Sequence, residues 1–316
     1  MKIFVSVVSF RDPLLKSTVD SLLEQQSGDN EIVIGIFEQT RLEDSLITVD
    51  ENLIQRPDIR YKRIDPEYAD GVVWARAVNA TQIEEEDFIY QVDSHIVYDK
   101  NWDRYLLEDW ELARQKTNNN KAIITSGCYN YTLEDGKPKI DVVPEKYQQA
   151  SSGKYFTFQR NINLPAAHGE WIPKTDDVMP AIHIFAGNFF APVRWVDEIG
   201  YDPRIFFDGE EHYMVLKSFM HEWSIYHSRA MHCYHFSGTH SHVTKHWVDP
   251  ISNKYGSLTA KGHARWNKFL KSLPKEVLEK YHEYSGVDYI NGIIEERAFT
   301  RQILCENPVG TPDAEE

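Results

Sequence analysis

The chain has 316 residues, 41% hydrophobic and 26% charged, so it can bury a sizeable core as one large domain or two closely packed halves. Its 49 acidic residues outnumber 34 basic ones, and the formal charge of -15 disfavours nonspecific binding to nucleic acid or anionic membrane. No window approaches the roughly 18 consecutive apolar residues of a membrane span, and Cys128, Cys233 and Cys305 are too few and scattered for a disulfide framework, which points to a cytoplasmic protein.

The start, MKIFVSVVSF, reads as a buried strand over residues 3–9 rather than a signal peptide, because Arg11 and Asp12 follow at once and no small-residue cleavage site appears. Leu14, Leu15, Val19, Leu22 and Leu23 then recur at helical spacing. EIVIGIF over 31–37 predicts a second buried strand, 60–64 a third, and 72–83 a helix. FIYQV over 88–92 predicts a fourth strand that delivers the chain to Asp93. Such alternation implies a largely parallel sheet covered on both faces, with ligands at the carboxyl ends of its strands. Ser9-Phe10-Arg11, Glu38-Gln39 and Asp93-Ser94-His95 all fall at such ends. Residues 130–180 are polar but rich in Tyr, Phe and Trp, which predicts long loops and short strands rather than disorder. An ordered block follows over 182–236. KGHARWNKFLKSLPKEVLEKYHEY is helical by spacing, and NPVGTPDAEE reads as a frayed end.

YQVDSHIVY is the sharpest local signal. A strand ending in Asp-x-His aims an oxygen and an imidazole at one point beyond the sheet edge, which suits Mn²⁺ or Mg²⁺. The plainer alternative is an Asp capping a turn beside a surface histidine. Asp208-Gly209-Glu210-Glu211 opens an apolar helix, where its carboxylates can either complement the helix dipole or serve as general acid–base groups.

FVSVVSFRDPLLKSTVDSLL, IVIGIFEQ, the DSH triplet with Trp102-Asp103 downstream, FAGNFFAP and YDPRIFFDGEEHYM occur in that order. Together they resemble the N-acetylglucosaminyltransferases that modify polypeptide hydroxyl groups, including cytoplasmic enzymes acting on hydroxyproline of a ubiquitin-ligase adaptor. More distantly they are similar to the mucin-type polypeptide N-acetylgalactosaminyltransferases, which share an Asp-x-His metal site. The resemblance spans residues 3–247 and leaves the 130–180 region and the tail without a matching motif.

The resemblance implies an α/β protein of GT-A nucleotide-diphospho-sugar transferase fold, with a mostly parallel central sheet and helices on both faces. It divides the chain into a catalytic domain, 1–250, with a nucleotide-binding half (1–105) and an acceptor and sugar half (106–250), and a C-terminal helical extension, 251–316. Asp93 and His95 become metal ligands, with His235 the first choice for a third and His232, His240 and His242 its competitors. A structural zinc on this cluster with Cys233 is the rival reading, unsupported by any CxxC pair. Ser9, Phe10, Arg11, Glu38, Asp93, Ser94, Gly187 and Asn188 are expected around the donor. Arg76, with its planar fork, is expected to meet the diphosphate, although Arg11 and Arg76 can also be ordinary surface residues. Glu210 and Glu211 are the catalytic candidates.

The implied reaction moves N-acetylglucosamine or a related sugar from a UDP-sugar to a hydroxyl of a polypeptide or glycan, with retention and with Mn²⁺ or Mg²⁺ as cofactor. Two other readings stay open. One keeps the fold and changes the acceptor to a glycan or a hydroxymethylated base, although the acidic charge weighs against nucleic acid. The other is a non-catalytic nucleotide-sugar or carbohydrate-binding protein.

Overall fold

The computed structural model describes residues 1–44, 49–140, 146–149, 156–159, 164–167, 170–236 and 255–295. First come β1 (Lys2–Phe10), α1 (Leu15–Gln25), β2 (Glu31–Gln39), α2 (Glu51–Ile54), β3 (Ile59–Ile64), α3 (Val72–Ala80) and β4 (Phe88–Asp93). Next are β5 (Ile96–Tyr98), α4 (Trp102–Thr117), β6 (Ala122–Thr125), β7 (Tyr129–Glu134) and β8 (Lys137–Lys139). Four short strands follow: β9 (Lys146–Gln149), β10 (Phe156–Gln159), β11 (Leu164–Ala167) and β12 (Glu170–Pro173). They pair antiparallel as β9 with β12 and β10 with β11. Then come β13 (Met179–Pro180), β14 (Asn188–Pro192), α5 (Arg194–Glu198), α6 (Glu210–Met220), β15 (Ser224–His227) and β16 (Cys233–Phe236). The described chain closes with α7 (Tyr255–Ser272), α8 (Lys275–Ser285), β17 (Val287–Asp288) and β18 (Ile293–Ile294).

The main sheet has eight strands in the order β13-β15-β6-β14-β4-β1-β2-β3. β3, β2, β1 and β4 are parallel neighbours, whereas β14 runs antiparallel between β4 and β6. β1 is buried from Ile3 to Ser9 because both faces of the sheet are covered, which is why its sequence is an apolar run and not an alternation. Its odd residues Ile3, Val5 and Val7 enter a core with Leu15, Val19 and Leu22 of α1 and Trp102 and Leu106 of α4. Phe4 points the other way, into a core with Phe189, Met214, Trp266 and Tyr281.

The expected helical extension is built into that second core. Trp266 and Phe269 of α7 and Leu278 and Tyr281 of α8 share it with Ile182, Phe189 and Met214. Tyr281 Oη also donates to the Ile182 carbonyl at 2.7 Å. The predicted helix over 72–83 stops earlier, at Ala80, and Thr81–Ile83 form a turn. The expected loops and short strands of 130–180 are present as β7 to β13.

From β1 the chain moves to β2 and β3 on one side and then returns to β4 on the other. The carboxyl ends of β1 and β4 therefore flank the switch point of the parallel half, the place where such sheets hold ligands. A second sheet, β5-β16-β7-β8, starts there, because β5 follows β4 after the two-residue Ser94-His95 connection.

Candidate active site

Strand pairing between distant segments assembles the site. β16 lies antiparallel to β5 with His235 opposite Ile96, so the sheet brings an imidazole from residue 235 beside the one at residue 95. Asp93, His95 and His235 offer a carboxylate oxygen and two ring nitrogens, all within 4.8 Å of one another. His95 Nε2 is 2.9 Å from His235 Nε2, which is 3.7 Å from Asp93 Oδ2. One hard oxygen with two imidazoles fits a first-row divalent cation such as Mn²⁺. Burial alone would raise the Asp93 carboxyl, but His235 and Arg76 hold it well below the usual carboxylate range. It is therefore ionised, as a ligand must be.

The competing histidines separate from this group. His232 stacks on Tyr105 with ring centroids 4.2 Å apart, and burial, with Arg229 and Lys174 nearby, lowers its pKa to about 4. His240 and His242 lie outside the described residues. Cys233 Sγ meets Cys128 Sγ at 3.1 Å and the Asn188 amide at 3.3 Å, so no zinc site forms around it among the described residues.

Gly187 closes over Asp93. A Cβ there would lie 2.3 Å from Asp93 Oδ2, so only glycine lets the chain approach the carboxylate this closely. The loop is held from two sides: Gln91 Nε2 donates to the Ala186 carbonyl at 2.6 Å, and the Ala186 N–H donates to Glu211 at 2.9 Å. Asn188, expected beside the donor, has its amide turned inward, where Nδ2 donates to Ser126 and Oδ1 accepts from Tyr90. The buried interior consumes its hydrogen-bonding capacity.

Arg76, expected to meet the diphosphate, lies in the second turn of α3 and is 3% exposed. Its guanidinium donates to Asp93 Oδ1 at 2.8 Å and to Glu210 Oε2. Arg76 thus ties the strand end that carries Asp93 to the start of α6. Burial would lower its pKa, but Glu210 and Asp93 raise it. Glu210 is not a cap: Gly209, at φ 96°, occupies that position with no side-chain bond. Burial raises the Glu210 carboxyl, and Arg76 only partly offsets this. Its Oε1 is buried with no hydrogen-bond partner among the described residues. Glu211 accepts from the Ala186 N–H and meets His183 Nε2 at 2.9 Å. It supports the loop and does not share Glu210's pocket contacts.

At the carboxyl ends of β1 and β2, Ser9 Oγ, Glu38 Oε1 and Thr40 Oγ1 are buried without hydrogen-bond partners among the described residues. Most buried polar atoms in folded proteins have a hydrogen-bond partner, so this cluster stands out at the sheet's carboxyl edge. Burial pushes Glu38 up to about 7, with Tyr61, Arg63 and the Val49 backbone pulling the other way. Phe10 is half-buried beside them, and Arg11, at φ 46°, donates to Asp44 at 2.6 Å and, through its backbone, to the Gln39 carbonyl. Ser94 turns its hydroxyl inward to Asp12 at 2.7 Å, and its carbonyl accepts from Thr18. Sequence reasoning missed Asp12, which stood out only as one of two charged residues after the first strand. Only its burial beside His95 reveals it.

The family model described as Glycosyltransferase (GlcNAc) matches residues 2–55 and 47–297. No curated protein sequence matches the chain. Among solved structures it is similar to GalNAc-T7 with UDP, GalNAc and Mn²⁺, at 14% identity and a TM-score of 0.56, over 90% of this chain and 54% of that one. It is also similar to residues 1–349 of TarS from S. aureus in complex with UDP-GlcNAc, at 15% identity and a TM-score of 0.46, over 93% of this chain and 82% of that one. This chain thus spans about half the length of the GalNAc-T7 structure, and its likeness to that protein is one of fold, the GT-A arrangement.

Proposed function

Because the chain belongs to the Glycosyltransferase (GlcNAc) family, we propose that it transfers N-acetylglucosamine from UDP-N-acetylglucosamine to a hydroxyl of a polypeptide or glycan. The observation that carries this reading is the convergence of Asp93, His95 and His235 at the sheet's switch point, beside Glu210. Asp93, His95 and His235 would hold Mn²⁺ or Mg²⁺. When bound, the ion neutralises charge developing on the leaving diphosphate. GalNAc-T7, of the same fold, is crystallised with UDP, GalNAc and Mn²⁺.

The chain's own residues do the rest. Ser9, Glu38 and Thr40 supply the partnerless polar atoms for the nucleoside at the ends of β1 and β2. Arg76 keeps Asp93 ionised and fixes Glu210, whose Oε1 is left to hold a donor-sugar hydroxyl. Retention, carried by the family resemblance, requires the acceptor to approach from the side of the departing diphosphate. The spacing of these groups does not by itself dictate that stereochemistry. Cysteine usage in the sequence supports a cytoplasmic location.

A screen of UDP-, GDP- and CMP-sugars with and without Mn²⁺ tests the assignment. Slow release of UDP from UDP-N-acetylglucosamine, dependent on the ion and lost in Asp93→Ala, is the expected result. Release from a GDP- or CMP-sugar in preference, or from none, overturns it.

A further inference from the structure

We propose that Asp12 is the positioning residue for the metal site: it holds the His95 imidazole in the tautomer that presents Nε2 to the ion. The inference rests on the metal-dependent reading above. Asp12 is 3% exposed, and it belongs to neither the Asp-x-His motif nor the strand that carries it. It follows β1, on the other side of the switch point, and its two oxygens have separate tasks. Oδ1 accepts the Leu14 N–H at 2.9 Å, which locks the carboxylate to its own turn. Oδ2 lies 2.7 Å from Ser94 Oγ and 2.7 Å from His95 Nδ1.

An ionised carboxylate can only accept hydrogen bonds. In the neutral ring this geometry places the proton on Nδ1, toward Asp12 Oδ2, and leaves Nε2 directed at His235 Nε2, 2.9 Å away. That nitrogen belongs to the group with Asp93 Oδ2. A ring nitrogen that donates to a carboxylate fixes the orientation of the other nitrogen and raises its basicity as a ligand. The hydroxyl of Ser94, within the motif itself, completes the arrangement by donating to the same oxygen, so the motif's middle residue acts on the carboxylate rather than on the donor. Arg76 plays the parallel part for Asp93: it occupies Oδ1, and Oδ2 stays on the side of the two imidazoles.

Asp12→Asn separates positioning from bulk. The amide keeps the size of the side chain, but it has one acceptor and one donor where the carboxylate has two acceptors. With its oxygen kept on the Leu14 N–H, the NH₂ faces His95 Nδ1, which must then accept, and the proton moves to Nε2. Two measurements on the full chain read this. The first is the His95 ring tautomer by ¹⁵N–¹H correlation in the metal-free protein. The second is the Mn²⁺ dissociation constant from the free-ion electron paramagnetic resonance signal, for wild type, Asp12→Asn and Asp93→Asn.

The expected result is an Nδ1–H His95 in wild type, an Nε2–H ring in Asp12→Asn, and Mn²⁺ binding weakened about 10–100-fold by that substitution. A carboxylate that merely buttressed the turn would leave the tautomer unchanged. Wild type with an Nε2–H His95 overturns the proposal even if Asp12→Asn fails to fold. So does an Asp12→Asn protein that binds Mn²⁺ as tightly as wild type. If wild type itself binds no Mn²⁺, or Asp93→Asn binds it equally well, the parent metal reading falls, and the tautomer result still stands apart from it.

Discussion

Arg76 determines what two carboxylates at this site can do. Its guanidinium lies between Asp93 Oδ1 and Glu210 Oε2 in the interior, where an uncompensated charge costs about 3–5 kcal/mol when its partner is removed. Its hydrogen bonds go to these two carboxylates. Gly187 is as constrained by space as Arg76 is by charge. In Gly187→Ala the new methyl enters the position of Asp93 Oδ2, the oxygen nearest the two histidines. The carboxylate must swing away, or the loop must lift off its hydrogen bonds from Gln91 and to Glu211. Mn²⁺ affinity should fall by at least about tenfold, a loss of about 1.4 kcal/mol, while the far-ultraviolet circular dichroism stays native. Unchanged affinity would show that Asp93 Oδ2 does not face the ion.

At the scale of elements, β5 and β16 explain why half of the candidate site was legible in the sequence. Asp93 follows the FIYQV run of 88–92 and His95 comes two residues later, so a strand-end reading finds both directly. His235 could be chosen only from a cluster of histidines, because its partner strand is separated by more than a hundred residues and three-residue strands such as β5 carry no readable period. The parallel half of the sheet was legible for the same physical reason: strands buried on both faces are continuous apolar runs. α4 and the antiparallel insertion of β14 were not, since sheet order depends on pairing between distant segments. Asn188 marks the limit most clearly. Its neighbour Gly187 does approach the site, whereas its own amide closes a network with Tyr90, Ser126 and Cys233 that no local pattern announces.

α7 also belongs to the site's support. Trp266 is fully buried and packs over Gly209, where an added Cβ would come within 3.4 Å of the indole, and Glu210 is the next residue. His263 and Arg265 reach Asp208 and Asp202 on the segment leading into α6. Trp266→Ala removes one of the largest side chains of the core and should cost about 3–5 kcal/mol. In a chain of this size that lowers Tm by on the order of 5–10 °C, and turnover per folded molecule should fall too, because the Gly209-Glu210 turn loses its backing. An unaltered Tm would mean that α7 is a covering and not part of the core.

Across the whole molecule, the charge distribution argues for a bound cation. The chain carries a formal charge of -15, and Asp12, Asp93, Glu210 and Glu211 stand around the site with a single buried guanidinium among them. A diphosphate approaching such a cleft is repelled unless a divalent ion offsets the carboxylates. The sheet brings the candidate ligands together there, since β1 and β4 open at the switch point while β16, paired with β5, sets His235 beside His95. On the proposed function, fold and charge together make nucleotide binding conditional on metal. Calorimetric titration of UDP into wild type and His235→Ala, each with Mn²⁺ and with chelator, tests that condition most directly. The account predicts tight binding only for wild type with Mn²⁺ and a dissociation constant at least about tenfold weaker in the other three titrations. Equal UDP affinity in all four would contradict it.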